Sequence, residues 1–135
     1  MVYEGIIARY RDLIDLPQNA LPVSLCEGNT PLIPAPKIAE RLGGGFDLFI
    51  KFEGLNPTGS FKDRGMTAAI TEAHARGART TICASTGNTA ASAAAYSARA
   101  GMRAVVIIPA GKVAAGKLAG AVAYGADVIQ IAGSL

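Results

Sequence analysis

One lysine of this sequence lies where its amine could do chemistry. Lys62 falls between a predicted strand and a predicted helix, inside the first turn of that helix. The helix dipole is positive there, which disfavours an ammonium group and favours a neutral amine. A neutral amine is what a lysine nucleophile, or a lysine that condenses with an aldehyde, requires. The alternative is a solvated lysine beside Asp63, with Ser60 and Asp63 as a capping-box-like pair at the helix start.

A second turn offers groups that bind an anion. It links the end of a predicted strand to the start of a predicted helix and contains Ser85, Thr86, Gly87, Asn88 and Thr89. Backbone N–H groups and the positive helix end at such a turn suit a carboxylate or a phosphate. Ligands of open parallel sheets bind outside the carboxyl ends of the strands, where this turn is expected. The alternative is ordinary helix capping, because the same residue types are good caps.

A third stretch has the spacing of a phosphate-binding P-loop but not its chemistry. Gly111–Lys117 follows a predicted buried strand, yet the next residue is Leu118 rather than the Ser or Thr that binds magnesium. We therefore predict no nucleotide site here. Lys112 or Lys117 is interpreted as a solvated lysine or as a residue that faces an anionic substrate.

No metal site is predicted. His74 is the only histidine and is interpreted as a surface residue late in a helix. Cys26 and Cys83 lack metal-ligand or redox spacing, and Cys83 is interpreted as a small buried apolar residue.

Alternating elements position both turns. The predicted order after residue 46 is strand 47–52, helix 61–76, strand 79–84, helix 88–99, strand 104–108, helix 115–124 and strand 127–131. This alternation predicts an α/β fold, with a mostly parallel open sheet and helices on both faces. The run Ala104–Ile108 is apolar and mostly β-branched, which is typical of a strand buried on both faces.

The first 45 residues are irregular and rich in proline. Helices are predicted over 3–14 and 36–42, and Gly43–Gly45 is interpreted as a turn rather than a phosphate loop.

Composition excludes several classes of protein. The chain has 135 residues, of which 50% are hydrophobic and 17% charged, which fits one ordered domain rather than a disordered chain. A net charge of +3 with no basic run argues against nucleic acid as a partner. The apolar stretches have strand length, so no membrane span is predicted. The charged N-terminal residues argue against a secretory signal, and two cysteines suggest a reducing compartment, hence the cytoplasm.

Taken together, the motifs resemble the pyridoxal-phosphate enzymes of the tryptophan-synthase-β type, fold type II. Within them the chain is similar to the threonine synthases. The stretches that carry the resemblance are residues 27–32, 57–66, 85–89 and 108–118. The first two are shared with serine and threonine dehydratases and, more loosely, with cysteine synthases. The Lys62–Met66 version and the segment from Gly111 to Leu118 point more narrowly to threonine synthases.

The resemblance implies a role for each candidate residue. Lys62 would bond covalently to the aldehyde of pyridoxal 5'-phosphate, and Asn88 would hydrogen-bond the oxygen of the ring hydroxyl. The substrate-binding residues would be Ser85, Thr86, Gly87 and Thr89, with the N–H groups of the turn holding the substrate carboxylate.

The resemblance also implies a reaction, the conversion of O-phospho-L-homoserine and water into L-threonine and phosphate, in a homodimer. A dehydratase of the same fold is the enzymatic alternative. Family members are much longer, and their phosphate-binding loop and the residue opposite the pyridine nitrogen come from the second half of the sequence. We therefore expect this chain to be an N-terminal portion, inactive by itself. Residues 1–45 would pack on the larger domain, and residues 46–135 would form most of the smaller one.

Overall fold

The computed structural model describes residues 2–111 and 115–133, excluding the side chains of residues 115–117. The helices are α1 (Ile6–Tyr10), α2 (Pro36–Arg41), α3 (Lys62–Ala75), α4 (Asn88–Arg99) and α5 (Ala115–Ala123). The strands are β1 (Leu32–Pro34), β2 (Phe49–Lys51), β3 (Thr80–Ala84), β4 (Arg103–Pro109) and β5 (Asp127–Ile131). Short 3-10 turns follow α1 and β2, over Arg11–Leu13 and Glu53–Leu55. Among the described helices, none is long and apolar enough to cross a bilayer.

Three strands form a parallel sheet in the order β3-β4-β5. The register aligns Cys83 with Val106 and Val106 with Val128. Strand β4 is the central strand, and Ala104, Val106 and Ile108 are buried on one of its faces. On the other face Val105 is buried and Ile107 is half-buried, so the predicted burial on both faces is confirmed at Val105 but is incomplete at Ile107. A run of β-branched residues has no polar face to offer water, so it takes the middle of the sheet.

The predicted strand 47–52 exists as β2 but does not join the parallel sheet. It pairs antiparallel with β1, with Ile33 opposite Ile50. Residues 35–48 connect the two strands through α2 and the predicted Gly43–Gly45 turn, and the chain reverses direction there, so β2 returns antiparallel beside β1. The prediction that this strand belongs to the parallel set is therefore wrong.

Helix α4 lies between two layers. One side packs on the sheet and α5, in a core that contains Ala90, Ala94, Val106 and Ile108. The other side packs on α3, in a second core of Val23, Ile70, Ala95, Tyr96 and Met102. Because alanine lacks a long side chain, both layers approach the helix backbone closely.

The other face of the sheet differs from expectation. Within the described ranges, α4 and α5 cover one face, whereas Ile82 on the opposite face is 69% exposed and Ile129 is 49% exposed. Helix α3, which was expected on the sheet, packs on α4 instead. Helices α3, α4 and α5 therefore lie in two layers on the same side of the sheet.

The N-terminal segment packs on α3 and α4. The predicted helix over residues 3–14 is shorter than expected, because α1 ends at Tyr10 and a 3-10 turn follows. Further on, Val23 donates its N–H to Thr71 Oγ1 at 2.9 Å and accepts a bond from the hydroxyl of Thr67 at 2.8 Å. Both threonines are fully buried on α3, so these bonds fix the segment to that helix.

Candidate functional site

Lys62 is the first residue of α3, which confirms its expected place in the first turn. Its backbone N–H donates to Ser60 Oγ at 3.3 Å. Its Nζ lies 4.9 Å from the centre of the Phe61 ring, and no carboxylate pairs with it among the described residues. An aromatic face attracts a cation weakly and leaves the amine open on its other sides. Lys62 is half-buried, and its amine is not engaged by a carboxylate of the described residues.

Asp63 does not form the capping-box pair with Ser60 that its spacing suggests. The carboxylate is fully buried and reaches back to Thr58, accepting its N–H at 2.7 Å and its hydroxyl at 2.5 Å. It also accepts the hydroxyl of Ser92 on α4 at 2.6 Å. The predicted capping-box pair is therefore wrong, because the carboxylate of Asp63 is committed to other donors. The sequence could not show it, since Ser92 lies 29 positions away.

The turn from Ser85 to Thr89 is built as predicted, between the end of β3 and the start of α4. The N–H of Gly87 bonds to Ser85 Oγ at 3.3 Å. In the part of the chain that the structure describes, the N–H groups of Thr86, Asn88 and Thr89 find no protein acceptor. The helix also lacks a side-chain cap, which removes the alternative of ordinary capping at this turn. Three free donors at a positive helix end are suited to an anion.

Gly87 leaves the backbone of this turn accessible. Its φ of −124° lies outside the left-handed region that favours glycine. A Cβ added there would have no described protein atom within 4 Å. The missing side chain instead leaves room for a ligand to approach the backbone.

One hydrogen bond, between Asp63 and Ser92, involves a residue next to Lys62 and a residue one helical turn from Asn88. Asp63 follows Lys62, and Ser92 lies one helical turn after Asn88, on the same side of α4. The hydrogen bond between Asp63 and Ser92 therefore joins the start of α3 to the first turns of α4.

Sequence reasoning missed a buried carboxylate that connects three segments. Glu27 is fully buried and accepts the N–H of Ile6 at 3.0 Å, the hydroxyl of Ser24 at 3.1 Å and that of Tyr96 at 2.8 Å. It also accepts the N–H of Leu25 at 3.1 Å. Burial and the bond to this carboxylate raise the pKa of Tyr96. The motif that contains Glu27 was noted, but nothing in its composition shows that the carboxylate is buried.

Glu53 and Arg64 form a second network that the sequence did not reveal. The guanidinium contacts both carboxylate oxygens, at 2.6 and 2.8 Å. Thr30 and Asn56 add hydrogen bonds to the same carboxylate, at 2.7 and 3.0 Å. The hydrogen bond from Arg64 lowers the pKa of Glu53 to about 2. This pair secures the 3-10 turn before the Lys62 loop.

A cleft of about 570 Å³ lies elsewhere, between the N-terminal segment and α3. Tyr3, Arg9, Lys51 and Arg64 are among its lining residues. Arg64 is two positions after Lys62 on α3, about 200° around the helix, so this cleft lies on a different side from the lysine.

The remaining expectations have mixed outcomes. His74 is exposed, as predicted. Cys83 is partly buried against the sheet core, and burial raises the pKa of its thiol. No group of three or more metal-binding side chains occurs among the described residues. Lys112 and the side chain of Lys117 lie outside those residues.

Comparison with known proteins identifies the class to which this fold and site belong. Residues 23–135 match the family described as "Pyridoxal-phosphate dependent enzyme", and the chain belongs to that family. It is 58% identical over 132 residues to the threonine synthase of Mycobacterium leprae (strain TN), covering 98% of this chain and 36% of that protein. It is also 58% identical over 132 residues to the threonine synthase of Synechocystis sp., covering 98% of this chain and 35% of that one.

A solved structure agrees in fold. The crystal structure of a pyridoxal 5'-phosphate-dependent aspartate racemase gives a TM-score of 0.71 at 32% identity, covering 76% of this chain and 33% of that chain. The expected family and α/β fold are confirmed. The chain spans about a third of the length of the curated relatives it matches.

The described residues fit part of what pyridoxal phosphate needs. An amine without a carboxylate partner suits its aldehyde, and an exposed amide side chain at Asn88 suits a polar ring substituent. The three free N–H groups and the open space at Gly87 fit a carboxylate or phosphate group.

Proposed function

We propose that the protein to which this chain belongs is a threonine synthase, which converts O-phospho-L-homoserine and water into L-threonine and phosphate. The observation that carries the proposal is the identity of 58% to threonine synthases across 98% of the chain. The geometry supports it, because a lysine amine that no described carboxylate engages and an open anion-binding turn lie on two helices joined by a buried hydrogen bond.

The roles proposed for the residues are those that the family resemblance implies, and the chemistry of each side chain is compatible with its role. Bound pyridoxal phosphate supplies an electron sink for carbanions at the substrate α-carbon. Lys62 holds the cofactor through its aldehyde, and Asn88 holds it through the ring hydroxyl. The N–H groups of the turn, with Ser85, Thr86, Gly87 and Thr89, bind and orient the substrate carboxylate. The amine of Lys62 moves protons to and from the substrate carbons when it is free.

The organisation of the whole protein is proposed on the same basis. Residues 46–135 form most of a smaller domain, and residues 1–45 pack on a larger domain in addition to their contacts with α3 and α4. The enzyme is proposed to be a cytoplasmic homodimer.

Substitution of Lys62 tests the proposal. In the full-length protein, Lys62→Ala is expected to abolish threonine formation, because no other described residue offers an amine at this turn. Lys37→Ala, an exposed lysine on α2, is the matched control and should keep full activity. Threonine formation by Lys62→Ala at the wild-type rate would refute the assignment.

Product analysis separates the proposal from a dehydratase. A threonine synthase releases inorganic phosphate from O-phospho-L-homoserine, whereas a dehydratase forms a keto acid from threonine. Keto acid from threonine, without phosphate release from the phosphorylated substrate, would favour the dehydratase.

The chain of 135 residues by itself is proposed to be inactive. Addition of pyridoxal phosphate should give no stable, borohydride-reducible visible band with this chain, but should give one with the full-length protein. A stable band on the short chain would contradict this expectation.

A further inference from the structure

Asp63 is a fully buried carboxylate that follows directly after Lys62. Its Oδ2 accepts the N–H of Thr58 at 2.7 Å, and its Oδ1 accepts the hydroxyls of Thr58 and Ser92 at 2.5 and 2.6 Å. None of the ion pairs among the described residues includes it. A buried carboxylate that has only neutral donors depends on all of them, so its position is sharply defined.

The three donors come from two elements. Two belong to Thr58, which opens the turn before α3, and one belongs to α4. Ser92 lies four residues after Asn88, and residues with this spacing are neighbours on one side of a helix. The carboxylate therefore connects the residue next to Lys62 with the residue one turn from Asn88. Displacement of the start of α3 relative to α4 would break this contact.

We infer that Asp63 is a positioning residue, whose carboxylate fixes where the Lys62 amine lies relative to Asn88. The inference rests on the proposed function, because it takes Lys62 and Asn88 as the residues that hold the cofactor. A lysine held in place bonds to an aldehyde faster than one that samples many positions, since orientation is part of the activation barrier.

The competing explanation is that Asp63 only stabilises the fold. Two buried serines of α4, Ser92 and Ser97, allow this structural role to be distinguished from the positioning role. Ser97 is also fully buried, and its hydroxyl lies 2.7 Å from Thr81 Oγ1 in β3. Ser92→Ala and Ser97→Ala therefore remove the same atom from the same helix. Only the first removes a contact to the residue beside Lys62.

The experiment measures modification of individual lysines in the full-length protein. Wild type, Ser92→Ala, Ser97→Ala and Asp63→Asn are first freed of bound cofactor, then incubated briefly with pyridoxal phosphate and reduced with borohydride. Peptide mass spectrometry then gives the rate at Lys62 relative to exposed Lys37 in the same molecule. We expect Ser97→Ala to match wild type, and Ser92→Ala and Asp63→Asn to be slower at Lys62 by about tenfold.

Thr58 provides a further pair of variants if Asp63→Asn does not fold. Thr58→Ser keeps the hydroxyl that bonds to Asp63 and should retain the wild-type rate at Lys62. Thr58→Val keeps the shape without the hydroxyl and should be slower.

Each outcome decides the matter. Equal Lys62 rates in Ser92→Ala, Ser97→Ala and wild type would overturn the positioning role while leaving the proposed function intact. Equal slowing by Ser92→Ala and Ser97→Ala would also overturn it, because a structural role predicts that pattern. Absence of modification at Lys62 in wild type would refute the proposed function, and the positioning role with it.

Discussion

The phenolic hydroxyl of Tyr96 donates a 2.8 Å hydrogen bond to the carboxylate of Glu27, across 69 positions of sequence. Both residues are fully buried. Tyr96 lies one turn beyond Ser92, so the same side of α4 that contacts Asp63 also contacts the N-terminal segment. Two buried carboxylates thus hold α4 through two hydroxyls, and the helix that begins with Asn88 is secured along its length.

Removal of the Tyr96 hydroxyl is expected to destabilise the protein. Tyr96→Phe preserves the buried ring but leaves the carboxylate of Glu27 with one donor fewer, which costs about 1–3 kcal/mol. Urea unfolding should show a lower free energy of unfolding with an unchanged dependence on urea concentration. Tyr124→Phe is the control, because that residue is partly exposed and has no hydrogen bond from its hydroxyl among the described residues. Equal stability of the two variants would show that the Glu27 contact contributes nothing.

Acid is expected to destabilise the protein through Glu53. Arg64 and its other partners lower the pKa of this carboxyl from 4.5 to about 2 in the folded protein. A lowered folded pKa means that the contribution is fully present above the ordinary value and is lost as pH falls from about 4.5 to about 2. The urea midpoint of the wild type should therefore fall more steeply over this range than that of Glu53→Gln.

The matched control for Glu53 is Glu72→Gln. Glu72 pairs with Arg76 on the surface of α3, where the two side chains are 40% and 70% exposed, and such pairs contribute little. This variant should keep the acid dependence of the wild type. An identical dependence in Glu53→Gln and wild type would contradict the role assigned to the Arg64 pair.

Turns and helix starts could be predicted from the residues adjacent to them, whereas contacts between segments distant in sequence could not. Proline at 36 suits the first position of a helix, and the run of small polar residues from Ser85 to Asn88 is typical of a helix start, so both boundaries were predicted to the residue. The partner of β2 depends on β1, which the sequence did not reveal as a strand, because three residues with a terminal proline carry little pattern.

In the candidate site, too, local features were predicted and long-range contacts were not. The positions of Lys62 and of the Gly87 turn at helix starts were predicted correctly, because adjacent residues indicate where those helices begin. The partners of Asp63 and Glu27 were not found, because Ser92 and Tyr96 lie 29 and 69 positions away. The spacing of residues within a motif does not indicate hydrogen bonds to residues that come close only in the folded protein.

Larger residues on the buried sides of α4 are expected to destabilise the fold. Ala94 is fully buried between the helix and the sheet core, so Ala94→Leu forces added carbon atoms into a filled space. Overpacking of this kind costs about 1–3 kcal/mol. Ala98→Leu on the same helix is the control, because Ala98 is exposed and its replacement should leave stability almost unchanged. A thermal unfolding midpoint that is the same for both variants would show that α4 is not closely packed between two layers.

Gly87→Ala is expected to separate ligand binding from stability. The φ of Gly87 is not left-handed, and an added Cβ meets no described protein atom within 4 Å, so the free energy of unfolding should change little. The Cβ would occupy the space through which a ligand approaches the free N–H groups of Asn88 and Thr89. In the full-length protein, we therefore expect weaker binding of the substrate, measured as a raised KM for O-phospho-L-homoserine.

The control variant, Gly101→Ala, is expected to lower stability without changing substrate binding. Gly101 ends the turn after α4 with a φ of +68° and also has open space around it. Gly101→Ala should lower stability by about 1 kcal/mol, because an L residue is strained in the left-handed region, and should leave KM unchanged. If Gly87→Ala lowered stability as much as Gly101→Ala without raising KM, the glycine would serve the fold, and the turn would lose its assignment as the substrate-binding site.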